Sequence, residues 1–196
     1  MKPSVGVLAL QGGVSEHVRM LRICGCSTVE VRLPADLKGI SGLIIPGGES
    51  TALIRLIRRW DLETPLKDAA SGGLPVWGTC AGSILVSTEI TEREHLIDQP
   101  GLELAPVRAV RNSFGRQVAS FQEDLKVKGL DDPYPGVFIR APLLVPLDPG
   151  VEVLSSVEEG AVFLRYGNIW LSSFHPELTD DARIHGLFLE GSGIGS

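Results

Sequence analysis

The sequence predicts an α/β fold of three layers: a mostly parallel central sheet, helices on both of its faces, and a mixed or antiparallel extension in the second half. Two patterns carry that prediction. As far as about Ile90, short apolar runs alternate with amphipathic stretches, which is the order of repeated β-then-α units. Beyond that point strand-like runs follow one another with few helical stretches between them, separated by Pro, Gly and Asp.

In order, Val5–Leu10 reads as a strand, interrupted by Gln11-Gly12-Gly13. Val14–Cys24 carries Val14, Val18, Leu21 and Ile23 at helical spacing and ends at Gly25. Val29–Leu33 is a strand closed by Pro34, and Gly42–Ile45 a buried strand ended by Pro46-Gly47-Gly48. Ser50 or Thr51 caps a helix running to about Trp60, with Leu53, Leu56 and Ile57 on one face. Leu62–Ala70 is a second short helix before Gly72-Gly73. Leu74–Trp77 is the strand leading to Cys80, and Ala81–Ile90 the helix after it. The second half offers strands at Leu104–Val110, Gln117–Ser120, Gly136–Ile139, Val151–Ser155, Ala161–Tyr166 and Ile169–Ser173. A last helix runs from Asp180 to about Glu190, its two aspartates suited to a helix N-terminus. Residues 190–196 are small and polar and should fray. No repeat, linker or boundary interrupts the chain, so 1–196 reads as a single domain.

The composition narrows the class. With 196 residues, 43% hydrophobic and 21% charged, the chain can bury a full core and is not a disordered sequence. The net charge of −6 and the lack of a basic cluster interleaved with aromatics argue against nucleic acid as a partner. No apolar run reaches membrane-spanning length, and Val5–Leu10 is too short for a signal segment, so a cytoplasmic location is expected. Cys24, Cys26 and Cys80 lack framework spacing and should be free thiols in a reducing compartment. Cys24-Gly25-Cys26 is not the C-x-x-C of a zinc or redox site, and no second pair completes one.

The chemistry sits in two short segments. Gly78-Thr79-Cys80-Ala81-Gly82 places a cysteine where a buried strand turns into a helix. So tight a turn strains the central residue, and glycines two before and two after remove side chains that would clash. The thiol then stands above the sheet edge, where a helix N-terminus favours a thiolate and the Ala81 N–H can hold an oxyanion. His175-Pro176-Glu177 follows the strand Ile169–Ser173. Residues two apart on an extended segment point the same way, so the carboxylate can orient the imidazole while the imidazole takes the cysteine proton. Each segment alone is also compatible with an ordinary buried cysteine and a loop histidine; together they describe a Cys80–His175–Glu177 hydrolase. His17, His95 and His185 lie in polar or helical settings and read as surface residues. Pro46-Gly47-Gly48-Glu49-Ser50 is too short for a phosphate loop and lacks its lysine. It is either a structural turn or a nest of N–H groups facing the same pocket, with Gly48 as the second oxyanion donor.

Taken together, these segments resemble the class I glutamine amidotransferases. The match is closer to one family within it, the glutaminase subunits of pyridoxal 5′-phosphate synthase. Leu10-Gln11-Gly12, Pro46–Thr51, Gly78–Gly82, Arg111–Gln117, Val137–Pro142 and Ser173–Thr179 carry the resemblance, which runs from about Val5 to Leu189. It implies hydrolysis of L-glutamine to glutamate and ammonia. The ammonia would pass to a (β/α)₈-barrel synthase subunit, in a large hetero-oligomer, that builds pyridoxal 5′-phosphate from ribose 5-phosphate and glyceraldehyde 3-phosphate. It implies Cys80 as nucleophile, His175 as base and Glu177 as its orienting partner. Gly47, Gly48, Glu49, Arg111, Ile139 and Arg140 map to glutamine-binding positions, and Gln11 and Gly12 to the oxyanion hole. It implies no metal and no cofactor. The residue chemistry agrees: Arg111 or Arg140 can meet the amino acid's carboxylate and Glu49 its ammonium, although either arginine can equally be a surface ion pair. Two departures stand out. Glu103 occupies a position where many relatives carry a small residue, and the C-terminal helix gives way early to Gly and Ser. The competing readings are a free-standing cysteine hydrolase of the γ-glutamyl or DJ-1/PfpI type, a glutaminase serving another acceptor, and a non-catalytic subunit that keeps the fold.

Overall fold

The computed structural model describes residues 2–92, 95–111 and 120–195. In chain order the first half runs β1 (Ser4–Leu8), α1 (Val14–Ile23), β2 (Ser27–Val31), a 3-10 turn at Pro34–Leu37, β3 (Gly42–Ile45), α2 (Ser50–Arg59), α3 (Glu63–Ser71), β4 (Val76–Thr79) and α4 (Ala81–Val86). There follow β5 (Ser87–Glu92), β6 (His95–Leu96), β7 (Ala105–Arg111), β8 (Ser120–Leu125), β9 (Tyr134–Ile139), β10 (Leu143–Pro146), β11 (Glu152–Val157), β12 (Gly160–Tyr166) and β13 (Ile169–Ser172). A 3-10 turn at Pro176–Leu178 then leads into α5 (Arg183–Gly191).

Seven strands form the central sheet in the order β11-β12-β13-β4-β3-β1-β2. The five from β13 to β2 are parallel, and β12 and β11 continue the sheet antiparallel. Period-2 alternation sorts its side chains into two cores. Leu43, Ile45 and Val76 face Leu53, Ile57, Leu66 and Ile84 of α2, α3 and α4. Ile44 and Trp77 face Val18, Leu21, Ile184 and Phe188 of α1 and α5. Helices therefore cover both faces, as the apolar strands require.

The extension is only partly a continuation of that sheet. β5, β6, β7 and β10 form a separate four-stranded sheet, and β8 and β9 a two-stranded one. The helix expected over 81–90 stops at Val86, where Ser87 turns to extended backbone and β5 begins. Thr88, Ile90 and Thr91 are β-branched, and the strand pairs in parallel with β7. The expected strand at 117–120 lies mostly outside the described residues, as do residues 112–117 of the Arg111–Gln117 block. The cap of α2 is Glu49 rather than Ser50 or Thr51, its carboxylate accepting from the Thr51 and Ala52 N–H groups. α5 starts at Arg183, because Thr179 and Asp181 fold the preceding residues into their own hydrogen-bonded turn. The chain end does not fray as far as Gly195: the Ile194 N–H donates to the Leu189 carbonyl, and the Ile194 side chain is 8% exposed against β3. No helix among the described residues is long and apolar enough to cross a membrane.

Glu103 enters β7 with φ 54° and an exposed side chain. A side chain in the left-handed region costs about 1–2 kcal/mol, a cost that glycine escapes. Glu103→Gly is expected to stabilise the chain by about 0.5–1 kcal/mol, after the entropy that glycine adds to the unfolded state. A urea midpoint that fell instead would show that the side chain contributes more than its backbone costs.

Candidate active site

The site lies at the carboxyl ends of β3, β4 and β13, where parallel sheets open a crevice. Cys80 follows β4 directly and adopts φ 48°, ψ −105°. The neighbouring backbones leave no choice about the two glycines. A Cβ on Gly82 would sit 2.0 Å from the Ile45 carbonyl oxygen, and one on Gly78 would sit 2.5 Å from Gly82. The turn is pinned from three sides. The Cys80 N–H donates to the Ser172 carbonyl, its carbonyl accepts from the Ser83 hydroxyl at 2.7 Å, and the Sγ lies 3.8 Å from the Ile139 carbonyl.

His175 comes off β13, its N–H held by the Val137 carbonyl on β9. One ring nitrogen, Nδ1, meets Glu177 Oε1 at 2.8 Å, and the ring and Cys80 stand side by side against Gly47. Burial disfavours the imidazolium, but the hydrogen bonds and charges of Cys80 and Glu177 outweigh it and raise the His175 pKa to about 10. Glu177 is 1% exposed. Burial pushes its pKa up, yet neighbouring positive charge and the His175 hydrogen bond hold it below the carboxylate range. The His17 ring against Oε2 contributes most to this and the hydrogen bond and charge of His175 the rest, while burial holds the pKa of His17 itself below the ordinary value.

A cavity of about 400 Å³, of small-ligand size, opens over Cys80. Gln11, Gly48, Glu49, Ala81, Arg111, Ile139, Arg140 and His175 line it with Cys80, and Ser50 and Ile84 join them. Glu177 stands behind His175, and Gly47 and Gly12 form backing rather than lining. Gly12 has φ 94°, and a Cβ there would fall 1.7 Å from the Gly47 carbonyl oxygen, so these two loops stack backbone on backbone. Gln11 Oε1 accepts from the Glu49 N–H at 3.2 Å, tying the first loop to the second. Glu49 caps α2 with its carboxylate, and its pKa is lowered: burial opposes this, but the two α2 N–H groups and the Arg111 charge prevail. Arg111 donates to Gln99 Oε1 at 3.0 Å. Arg140 turns the chain out of β9 at φ 45°. Among the described residues no cluster of His, Cys, Asp or Glu could hold a metal ion.

The histidine expectation is corrected. His95 is exposed, but His17 and His185 are fully buried beneath the site. The signal was present in the spacing. Val14, His17, Val18 and Leu21 share one face of α1, and Ile184, His185, Phe188 and Leu189 share one face of α5.

Comparison with known proteins fits this geometry. The pattern of the SNO glutamine amidotransferase family matches residues 7–192. The chain belongs to that family. This glutamine amidotransferase is 47% identical over 191 residues to the Deinococcus radiodurans protein named pyridoxal 5′-phosphate synthase subunit PdxT, covering 97% of each chain. It is 50% identical over 190 residues to the Clavibacter michiganensis protein of the same name, covering 96% of this chain and 90% of that one. A solved glutamine amidotransferase superposes with a TM-score of 0.90 at 46% identity, over 97% of this chain and 99% of that chain. A chain of the Thermotoga maritima PurLQS structure shares the fold, with a TM-score of 0.75 at 19% identity over 97% and 99%.

The His175 proton links stability to pH. Its folded-state pKa near 10 exceeds the ordinary 6.5, so the folded chain keeps a proton that the unfolded chain releases. The stabilisation is therefore complete below about pH 6.5 and is lost as pH rises to about 10. In urea melts the advantage of the unsubstituted chain over His175→Asn should shrink across that window by on the order of 2 kcal/mol. An advantage that grew with pH would mean that the imidazole is buried neutral.

Proposed function

We propose that this chain, as a single domain over residues 1–196, is the glutaminase subunit of a pyridoxal 5′-phosphate synthase. It hydrolyses L-glutamine and delivers ammonia to a (β/α)₈-barrel synthase subunit in a large hetero-oligomer. The observation that carries the chemistry is the chain of contacts from Cys80 to His175 to Glu177, opening on a cavity lined by Arg111, Arg140 and Glu49. The observation that carries the partner is the shared name of full-length relatives at 47–50% identity. A reducing cytoplasm suits the three free cysteines, Cys24, Cys26 and Cys80.

The reaction is acyl transfer. The Cys80 thiolate attacks the side-chain amide carbon of glutamine, and the N–H groups of Gly48 and Ala81, with the Gln11-Gly12 loop, take up the oxyanion. His175, carrying its proton, protonates the departing nitrogen, and ammonia leaves a γ-glutamyl thioester on Cys80. Neutral His175 then takes a proton from water, which attacks the thioester. Glutamate departs and the thiolate is restored. Glu177 keeps Nδ1 as the donor so that Nε2 faces the sulfur throughout. Arg111 or Arg140 binds the α-carboxylate, and the still-charged Glu49 faces the α-ammonium, with Gly47 and Ile139 completing the glutamine site. This chemistry calls on no metal and no cofactor.

Glutamate release should be weak for the chain alone and rise strongly when a pyridoxal 5′-phosphate synthase barrel subunit is added. In that complex Cys80→Ala should lose about 10³-fold or more of the rate. A Cys80→Ala complex that kept its rate would sink the nucleophile assignment, and equal rates with and without the barrel would indicate a free-standing hydrolase.

A further inference from the structure

The triad does not end at Glu177. Its Oε1 is occupied by His175, but Oε2 is buried and lacks any close hydrogen-bond partner. A group placed to serve it is His17 Nε2 at 3.4 Å, on α1 and fully buried. The same nitrogen lies 3.2 Å from Thr79 Oγ1, which accepts the Gly47 N–H at 3.0 Å. On its other side His17 Nδ1 meets His185 Nε2, on α5, at 2.9 Å. Trp77 packs edge-on against both rings. The first turn of α1 closes the arrangement: a Cβ on Gly13 would come within 3.0 Å of Glu177 Oε1.

The protons can be placed by elimination. If His17 carried its proton on Nδ1, its Nε2 lone pair would face an anionic oxygen, and His185 would have to bury an N–H at Nδ1, which has no partner. If the proton is on Nε2, the carboxylate gains a donor and Nδ1 accepts from His185 Nε2–H. The costs are a neutral lone pair at His185 Nδ1 and an Nε2–H shared between Thr79 Oγ1 and Glu177 Oε2, together smaller than an anionic oxygen facing a lone pair.

We propose that His17 is a positioning residue for the glutaminase reaction, holding Glu177 through Oε2 and the Gly47 loop through Thr79. This rests on the glutaminase reading above. The order from the interior outward is His185, His17, Glu177, His175, Cys80. His17 touches neither substrate nor thiol. It stops Glu177 from rotating away from His175, and it sets the distance between the nucleophile's strand and the glycine loop that lines the cavity. The titratable groups facing His17 are Glu177 and His175 from the loop after β13, His185 from α5, and Glu16 from its own helix.

Two variants separate this role from mere filling of space. His17→Gln keeps a donor at the distal position; His17→Asn keeps only the proximal polar atom and cannot reach Glu177. With the barrel subunit bound, His17→Asn should lower kcat about tenfold with KM within about twofold, and His17→Gln should recover most of the loss. On the isolated chain, the pH profile of Cys80 alkylation by iodoacetamide should move in His17→Asn and stay in place in His17→Gln. If the two variants behave alike, or if rate follows only the melting temperature, the proposal is overturned. The imidazole ¹⁵N spectrum of the unsubstituted chain gives a check free of folding effects. A neutral Nε2–H His17 supports the proposal, and an Nδ1–H tautomer overturns it. If the unsubstituted complex released no glutamate, the glutaminase reading itself would fail, while the alkylation and ¹⁵N results would still report on His17.

Discussion

A carboxylate removed from water must be met by donors on both oxygens, and the whole site is arranged around that demand at Glu177. It is buried at the junction of three pieces of chain: the loop after β13 that carries it, the first turn of α1, and the end of β4. His175 answers one oxygen from the cavity side. His17 approaches the other from the interior. The charge that desolvation would otherwise penalise is thereby converted into a fixed orientation for the imidazole, and the imidazole is in turn fixed over Cys80.

The elbow at Cys80 rests on the same logic of packing against strain. A cysteine at φ 48° costs on the order of 1–3 kcal/mol and would relax if the backbone had room. It has none. Gly78 and Gly82 pack backbone to backbone against each other and against Ile45, while β4 itself is buried in the middle of the sheet between β13 and β3. Fully buried Val76, Trp77, Leu43 and Ile45 flank the turn, and each such side chain stabilises by about 1.5–3 kcal/mol, so the strain is easily offset. Stability is therefore supplied by the two cores, and reactivity is concentrated at the strand ends.

The division of the molecule follows from this. The seven-stranded sheet supplies Cys80, His175 and the glycine loop from adjacent strand ends, so their relative positions are set by backbone hydrogen bonds. The smaller sheets supply further lining of the cavity. β7 ends at Arg111 and β9 at Ile139, just before Arg140, which brings two cationic side chains into the lining of the cavity that holds Cys80.

Much of this was legible in the sequence. The alternation of apolar runs, the glycines around Cys80 and the two-residue spacing of His175 and Glu177 are local patterns, and local sterics dictate what they become. That is why the parallel sheet, the elbow and the facing imidazole and carboxylate all emerge from the sequence alone. What the tertiary structure decided is everything that depends on partners far apart in the chain. Glu49 displaces Ser50 as the cap of α2, and β5 leaves the helical course at Ser87 because β7 offers it a strand partner. Ile194 closes the chain end against β3 because an apolar site there was open to it. His17 and His185 are polar by type and so read as surface, yet they lie 168 residues apart and meet beneath the site. Polarity alone tells whether a side chain would rather be wet; only the fold shows that a buried anion supplies the partner that makes burial acceptable.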